Sequence, residues 1–453
     1  MWAMGIKRGF TAILIAGLIG CVPLIPYHAD QDKVAEENGM TPAPVPPAQK
    51  NDCYDEHKET CSLFVEYDDF GHLFSRAQLN EVMSTAEHIS KNNGIVVVYV
   101  HGWHHNAKTG DPDLTAFNRA IENAGILDRK AYKDKRKVMG IYVGWRGESV
   151  SLMPFSMLTF WDRKNTAQAI GDGAVFELFR KLAHHREENP GSRLVVVGHS
   201  FGAAVTYTSV AHSIMDQIIT DPYPNEPNGR NSPDQPKRWD LVVLVNPAFE
   251  AMQLRPHFEL ARSRDYKSDQ LPHLLIVTSQ DDWATKTAFP AGRYLSTIFK
   301  KYADSVSSDM NTTAIGHYIP YITHQLEVSE KCKVGTEITT VNKLGHVVAA
   351  GDYCFGDNRA LLLDAKTGKM ADPVLLTRCD NKGDCGLVAH NHTILRGPAS
   401  EGKTPEKMPI MNVRTTGVVM SGHNDIWNST MQGFLVQFML LTVDRPTAIS
   451  SIK

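Results

Sequence analysis

The chain alternates short apolar runs with longer segments whose apolar residues recur at helical spacing. The run Ile95–Val100 carries no charged position, which is typical of a strand covered on both faces. Further runs are predicted as strands: Leu63–Tyr67, Val138–Val143, Leu194–Val197, Leu241–Val245, Leu274–Thr278 and a last one ending near Val419. Helices are predicted between them, for example over Thr166–Leu182 and Ala203–Ile214. This alternation predicts an α/β fold, with a mostly parallel sheet and helices on both faces.

Two segments interrupt this alternation. Asp221–Lys237 is rich in Pro, Asn and Asp, and is predicted to be a long surface loop. Residues from about 325 to 408 hold four cysteines and many Gly, Asn and Lys residues. We interpret them as an insertion before the last strand, either a cap or a small disulfide-linked subdomain.

The N-terminus has the features of a secretory signal. Lys7 and Arg8 precede the apolar run Phe10–Gly20, which is too short to span a bilayer. The run ends in Leu18-Ile19-Gly20-Cys21, which resembles the lipobox of bacterial lipoproteins. That resemblance implies removal of residues 1–20 and lipid chains on Cys21, which would hold the protein on a membrane. Because Val22 follows the cysteine, it also implies the outer membrane if the cell is Gram-negative.

The chain from Cys21 to residue 50 is predicted to be a tether, because Thr41–Pro47 is rich in proline. The folded domain is then predicted over 51–453. Six more cysteines favour up to three disulfides in an exported protein. Cys53–Cys61 and Cys379–Cys385 are the closely spaced candidates, although the connectivity is open. The CxxC spacing that is typical of zinc sites is absent from the sequence.

A serine stands at the centre of the most informative motif. Gly198-His199-Ser200-Phe201-Gly202 follows one predicted strand directly and precedes a predicted helix. In this setting GxSxG describes a nucleophile elbow, a sharp turn that exposes the serine. Gly198 and Gly202 are required because strand and helix pack closely there. A structural turn with an incidental serine is the alternative.

A serine nucleophile also needs an oxyanion hole, a base and an acid. The backbone N–H of Phe201 is one expected donor to the oxyanion. The second is the N–H of Trp103, which follows His101-Gly102 at the end of a predicted strand. We expect His101 and Gly102 to support this loop. A metal site of His101, His104 and His105 is the alternative, and it is disfavoured because no acidic partner has ligand-like spacing.

The acid should follow a later strand, and both Asp281 and Asp282 follow Leu274–Thr278. We favour Asp282, keep Asp281 as the alternative, and consider Glu250 last. The base should come near the chain end, where His423 stands in Ser421-Gly422-His423 before an apolar helix. The competing histidines are His317, His324, His390 and His392.

The chain resembles a bacterial α/β-hydrolase-fold family of serine esterases and lipases, over about residues 62–325 and 410–441. Besides the elbow and the His-Gly loop, the resemblance includes Phe64–Asp69, Val143–Gly147 and Phe160–Lys164. It implies the α/β-hydrolase fold and an ester-type hydrolysis by Ser200, Asp282 and His423. Trp145-Arg146-Gly147 is also interpreted as packing at a strand end.

The predicted function is therefore hydrolysis of a carboxylic ester through an acyl-enzyme, without a metal or organic cofactor. The substrate size and oligomeric state are left open. Thioesterase, amidase or polymer hydrolase activity would use the same residues, and a non-catalytic surface lipoprotein is the alternative of another class. The formal net charge of −3 and the absence of a Lys/Arg-rich run disfavour nucleic acid as a partner.

Overall fold

The computed structural model describes residues 25–28, 51–131, 136–147, 160–220, 238–266, 270–328, 353–355, 374–378 and 408–443. Several predicted features lie outside these residues: the signal peptide (1–20), Cys21, Thr41–Pro47, most of the insertion, the loop 221–237 and the pair Cys379–Cys385. Within the described part, no helix is both long and apolar enough to cross a membrane.

One sheet of ten strands forms the centre of the described structure. The strands are β1 (Thr60–Glu66), β2 (Ile95–Val100), β3 (Val138–Gly144), β4 (Arg193–His199), β5 (Leu241–Val245), β6 (Leu274–Ser279), β7 (His324–Val328), β8 (Tyr353–Phe355), β9 (Val374–Arg378) and β10 (Ile410–Thr415). Their spatial order is β1-β3-β2-β4-β5-β6-β10-β7-β9-β8. The first eight in this order are parallel, and β9 and β8 add antiparallel pairs. The predicted α/β-hydrolase fold with a mostly parallel sheet is confirmed.

Nine α-helices connect and cover the strands in the described part of the chain. They are α1 (Arg76–Lys91), α2 (Pro112–Ala131), α3 (Phe160–Asp172), α4 (Ala174–Glu188), α5 (Phe201–Thr220), α6 (Ala251–Arg262), α7 (Phe289–Thr297), α8 (Ser305–Thr312) and α9 (Ser429–Val443). The packing residues of α2 and α9 share one core cluster, whereas those of α1, α3, α4, α5 and α6 share the other. Helices therefore cover both faces.

Successive residues of each central strand enter opposite cores. On β2, Val96 and Val98 belong to the cluster under α1 and α5, whereas Val97 and Tyr99 belong to the cluster under α2 and α9. All six residues of β2 are buried. This two-sided burial explains why the central strands are continuously apolar rather than alternating.

The central parallel strands end nearly level, which defines the carboxyl edge of the sheet. Gly198 of β4 pairs with Val100 of β2, and His199 pairs with Val245 of β5. Ser279 of β6 pairs with Thr415 of β10. The residues that follow these strands therefore gather at one edge.

Two element predictions were wrong in their limits. The last parallel strand ends at Thr415, and Val419 lies in the turn that follows, where it is apolar because the α2–α9 core buries it. The single helix predicted over Thr166–Leu182 is two helices that break at Gly173. There the chain passes so close to another loop that a Cβ on Gly173 would lie 2.9 Å from the carbonyl oxygen of Gly71.

The disulfide predicted between Cys53 and Cys61 is present, and it joins the approach to β1 with the strand itself. Cys354 lies on β8.

Residues Ile25–His28, inside the predicted tether, contact the folded domain. The buried Glu66 carboxylate accepts hydrogen bonds from the backbone N–H of Tyr27 at 2.6 Å and of His28 at 2.7 Å. The His28 ring stacks on Phe64 with the ring centroids 3.6 Å apart, and its Nε2 donates to the Ala107 carbonyl oxygen at 2.6 Å. The chain is thus held to the carboxyl edge at this point, because Glu66 ends β1.

A buried ion pair fixes the start of β4, the strand that leads to Ser200. Arg186 of α4 donates to both carboxylate oxygens of Asp240, at 2.7 and 2.9 Å, and both side chains are buried. Asp240 also accepts from the N–H of Leu194 at 2.8 Å. One carboxylate therefore joins α4, β4 and the approach to β5.

We expect Asp240→Ala to lower the free energy of unfolding by about 3–5 kcal/mol, because Arg186 would remain buried without its counter-charge. Denaturant titration would measure the change. Glu259→Ala is the control, since it breaks the exposed Arg255–Glu259 pair and should leave stability nearly unchanged. Equal effects of the two substitutions would contradict this role for Asp240.

Candidate active site

Ser200 occupies a strained turn between β4 and α5. Its φ angle is +56°, in the left-handed region that non-glycine residues rarely adopt. The helix begins at once, with the N–H of Ala203 and of Ala204 donating to the Ser200 carbonyl oxygen. A Cβ on Gly202 would lie 2.2 Å from the carbonyl oxygen of Val100, and one on Gly198 would lie 2.7 Å from Cα of Ala203. Both glycines are therefore required by close packing.

The structure brings Ser200, His423 and Asp282 into one hydrogen-bonded chain. His423 Nε2 lies 2.7 Å from Ser200 Oγ, and His423 Nδ1 lies 2.8 Å from Asp282 Oδ2. Since the carboxylate can only accept a hydrogen bond, the neutral ring carries its proton on Nδ1. Its Nε2 then accepts a hydrogen bond from the serine hydroxyl. The hydroxyl is thus already aimed at a base.

Asp282 is fully buried and well supplied with donors. Its Oδ1 accepts from the N–H of Ala284 at 2.9 Å and of Thr285 at 3.2 Å, and its Oδ2 accepts from the Thr285 hydroxyl at 2.5 Å. Burial raises the pKa of this carboxyl group, but the hydrogen bonds from His423 and Thr285 more than offset it, so the pKa lies below its ordinary value. The group is therefore held in its charged form.

The alternative acids are placed differently. Asp281 is exposed, its backbone N–H donates to Ser279 Oγ, and its carboxylate packs beside Gly417. Glu250 forms ion pairs with Lys164 at 3.0 Å and with Arg293 at 2.8 Å. The contact with His423 is made by Asp282.

Of the competing histidines, His324 lies on β7, where its Nδ1 forms a hydrogen bond with the hydroxyl of Thr323 at 2.9 Å. His390 and His392 lie outside the described residues.

The His101-Gly102-Trp103 loop lies directly against the elbow. A Cβ on Gly102 would be 3.0 Å from Cβ of Ser200 and 2.7 Å from His199 Nδ1, so only glycine lets the loop approach this closely. The ring of Trp103 meets that of Phe201 edge-on, with the centroids 6.5 Å apart.

His101 is a buried structural residue of this loop. Its Nδ1 donates to the Gly102 carbonyl oxygen at 2.9 Å, and its Nε2 accepts from the N–H of Trp145 at 3.1 Å. Burial lowers its pKa to about 4. The Trp145 indole donates in turn to the His101 carbonyl oxygen at 2.9 Å, so Trp145 acts in strand-end packing. Among the described residues, no group of three or more His, Cys, Asp or Glu side chains could hold a metal ion.

Sequence reasoning missed Asn246 and named His199 only as part of the elbow, yet both residues fix the backbone of His423. Asn246, directly after β5, donates from Nδ2 to the His423 carbonyl oxygen at 2.8 Å. His199 donates to the same oxygen from Nε2 at 2.9 Å. Asn246 Oδ1 also accepts from the N–H of Ser279 at 3.0 Å, which ties β6 to the same point. The available signal was position, because Asn246 follows a buried strand at the carboxyl edge.

His317 extends the polar chain behind Asp282. Its Nε2 lies 2.9 Å from the Thr285 hydroxyl oxygen. Because that hydroxyl donates its only proton to Asp282, His317 must donate from Nε2. Burial lowers the pKa of His317 to about 4, which keeps the ring neutral. The result is an uncharged support for the buried carboxylate.

Comparisons with known proteins gave weak similarities only. No protein-family model and no curated protein matches the sequence. Among solved structures, phospholipase PlaB from Legionella pneumophila in complex with thio-NAD aligns at 14% identity and a TM-score of 0.22, over 51% of this chain and 46% of that one. An uncharacterized protein from Pseudomonas aeruginosa aligns at 12% identity and a TM-score of 0.19, over 48% and 41%.

The chain thus spans less than half the length of either structure, and nothing about their ligands or substrates transfers to it at this level of similarity.

We expect the protein to lose stability as pH falls from 6.5 towards 4. The pKa values of His101 and His317 drop from 6.5 to about 4 on burial, so in this window the unfolded chain binds protons that the folded chain does not. Their contribution is complete above pH 6.5 and declines on acidification. Denaturant titrations at several pH values would measure it.

His317→Gln should make this decline shallower, whereas His184→Gln, at an exposed position, should not. Parallel pH profiles for all three proteins would contradict the assignment to His317.

Proposed function

We propose that this protein is a serine hydrolase of carboxylic esters, with Ser200 as nucleophile, His423 as base and Asp282 as acid. The observation that carries the proposal is the hydrogen-bonded chain from Ser200 Oγ through His423 to Asp282, with links of 2.7 and 2.8 Å. The three groups come from three separate loops at the carboxyl edge. Such an arrangement is unnecessary for packing and is what a serine nucleophile requires.

In the proposed first step, Ser200 Oγ attacks the ester carbonyl carbon while its proton passes to His423 Nε2. The charged Asp282 stabilises the resulting imidazolium and keeps Nδ1 protonated. His423 then gives the proton to the leaving alcohol oxygen, and the C–O bond breaks to leave an acyl-enzyme. Water repeats the sequence against the acyl group and releases the acid.

The backbone N–H groups of Phe201 and Trp103 are the proposed oxyanion donors. Phe201 begins α5 directly after Ser200, so its N–H lies at the N-terminal end of the helix, where the helix dipole favours negative charge. The close approach of Gly102 to Ser200 favours a donor from the adjoining Trp103 peptide. Each donor in comparable sites lowers the barrier by roughly 3–4 kcal/mol.

The same residues would serve thioesters, amides or polymeric esters, and relative rates on matched substrates would distinguish these classes. A non-catalytic binding role would leave the strained Ser200 and the aligned imidazole without a purpose.

The location we propose is extracytoplasmic, with lipid chains on Cys21 and the outer membrane as the site in a Gram-negative cell. The order of basic residues, apolar run and lipobox supports it. The disulfide Cys53–Cys61 fits an oxidising compartment.

A fluorophosphonate probe should label the wild-type protein at Ser200, because the hydroxyl is aligned with a base. Ser200→Ala should take no label, and heat-unfolded wild type serves as the control. Mass spectrometry of the labelled peptide gives the position. Labelling of Ser200→Ala at the wild-type level would overturn the proposed nucleophile.

Asp282→Asn should lower kcat on a soluble ester by roughly a thousandfold or more, because the amide favours the wrong tautomer of His423. Asp281→Asn is the matched control and should stay close to wild type, since Asp281 faces solvent. Steady-state kinetics would measure both. A larger loss in Asp281→Asn than in Asp282→Asn would exchange their roles.

A further inference from the structure

We propose that the carboxyl edge of the sheet lies against a lipid surface, so that the candidate active site faces the membrane. Two features support this orientation: the contact of Ile25–His28 with Glu66, and a group of exposed apolar side chains on and next to α7. The inference rests on the proposed lipid attachment at Cys21, but not on the chemistry of Ser200.

The first feature limits how far the domain can lie from its lipid chains. Tyr27 and His28 are bound to Glu66, at the end of β1. Only residues 22–24 separate Cys21 from Ile25, so the lipid-bearing cysteine is at most about 14 Å from this segment. The proline-rich stretch of the tether follows the contact and does not add to this distance. The anchor therefore draws the carboxyl edge, rather than the opposite edge, towards the membrane.

The second feature is a set of large apolar side chains in solvent, which we call the α7 patch. Its members and their exposed fractions are Trp283 (59%), Tyr294 (64%), Leu295 (76%), Ile298 (69%) and Phe299 (98%). Tyr294 and Leu295 lie on α7, and Ile298 and Phe299 follow directly in the turn after its end. The opposite face packs inward through Phe289, Gly292 and Thr297. Four large apolar side chains exposed within six consecutive residues are typical of an interaction site.

The charge around the α7 patch favours anionic lipid as the occupant. No Asp or Glu occurs between Asp282 and Asp304. Lys286, Lys300 and Lys301 are exposed in that interval, and Arg293 is paired with Glu250. Apolar residues flanked by lysines are typical of helices that lie in a membrane interface.

One member of the α7 patch, Trp283, borders the candidate active site. Trp283 directly follows Asp282, and the exposed Val418 adjoins Gly417, which packs on Asp281. The anchor contact and Trp283 are therefore both at the carboxyl edge, near the ends of β1 and β6. Their simultaneous contact with a membrane would place the entrance to Ser200 at the lipid headgroups.

The test uses the full chain in vesicles of phosphatidylethanolamine and phosphatidylglycerol that contain a brominated phospholipid. Bromine quenches tryptophan fluorescence only where the ring enters the lipid. Trp283→Phe should therefore reduce the amount of fluorescence that brominated lipid quenches by about twofold or more. Leu295→Glu combined with Phe299→Glu should have the same effect.

Ile219→Glu is the matched control. Ile219 is also exposed (56%), but it lies near the far end of α5, about 27 Å along the helix from Phe201. This variant should keep wild-type quenching. Ser200→Ala should also keep wild-type quenching, although it loses hydrolysis. The patch variants should keep hydrolysis of a soluble ester. A failure of the proposed orientation is therefore distinct from a failure of the proposed chemistry.

Unchanged quenching in both the Trp283→Phe and the Leu295→Glu/Phe299→Glu proteins would overturn the orientation. So would a patch variant that keeps its quenching but converts a dimer to a monomer in light scattering, because the occupant would then be a second copy. An N-terminal peptide without acyl chains on Cys21 would overturn the anchor contact as a membrane attachment.

Discussion

The carbonyl oxygen of His423 accepts hydrogen bonds from Asn246 and His199, and the proposed site depends on these two contacts. His423 stands eight residues beyond the end of β10, so the sheet register alone does not fix it. Both donors come from strand ends, namely β5 and β4, and both are buried. The backbone of His423 is therefore held by the strand that leads to Ser200, although His423 lies 223 residues further along the chain.

Burial keeps the histidines around this contact neutral. The pKa of His199 lies well below its ordinary value, because burial and the neighbouring His423 ring disfavour a positive charge on His199. His101 and His317 behave in the same way. Asp282 is thus the charged group that directly contacts His423, so an imidazolium formed there would meet one anion and no competing histidine cation. Such preorganised electrostatics is the usual source of rate in sites of this kind.

Much of the fold was predictable from sequence because the signals were local. The apolar runs located the central strands, and the glycines around Ser200 predicted a turn in which added Cβ atoms collide with backbone. The end of β10 was misplaced because Val419 and Met420 are apolar for a different reason: they are buried in a turn. The roles of Asn246 and His317 were not predicted because their partners Ser279 and Thr285 are 32 or more residues away, and no local pattern encodes those contacts.

The strand β8 is only three residues long, and among the described residues it is the outermost strand on its side of the sheet. Without β9 and β8, the outer strand on that side would be β7, with five residues of unpaired backbone. A long open edge is a template for another chain, and a very short one is a poor template. In the described part of the chain, β9 and β8 therefore cover the edge of β7 and leave a shorter edge, which disfavours edge-to-edge association of two copies.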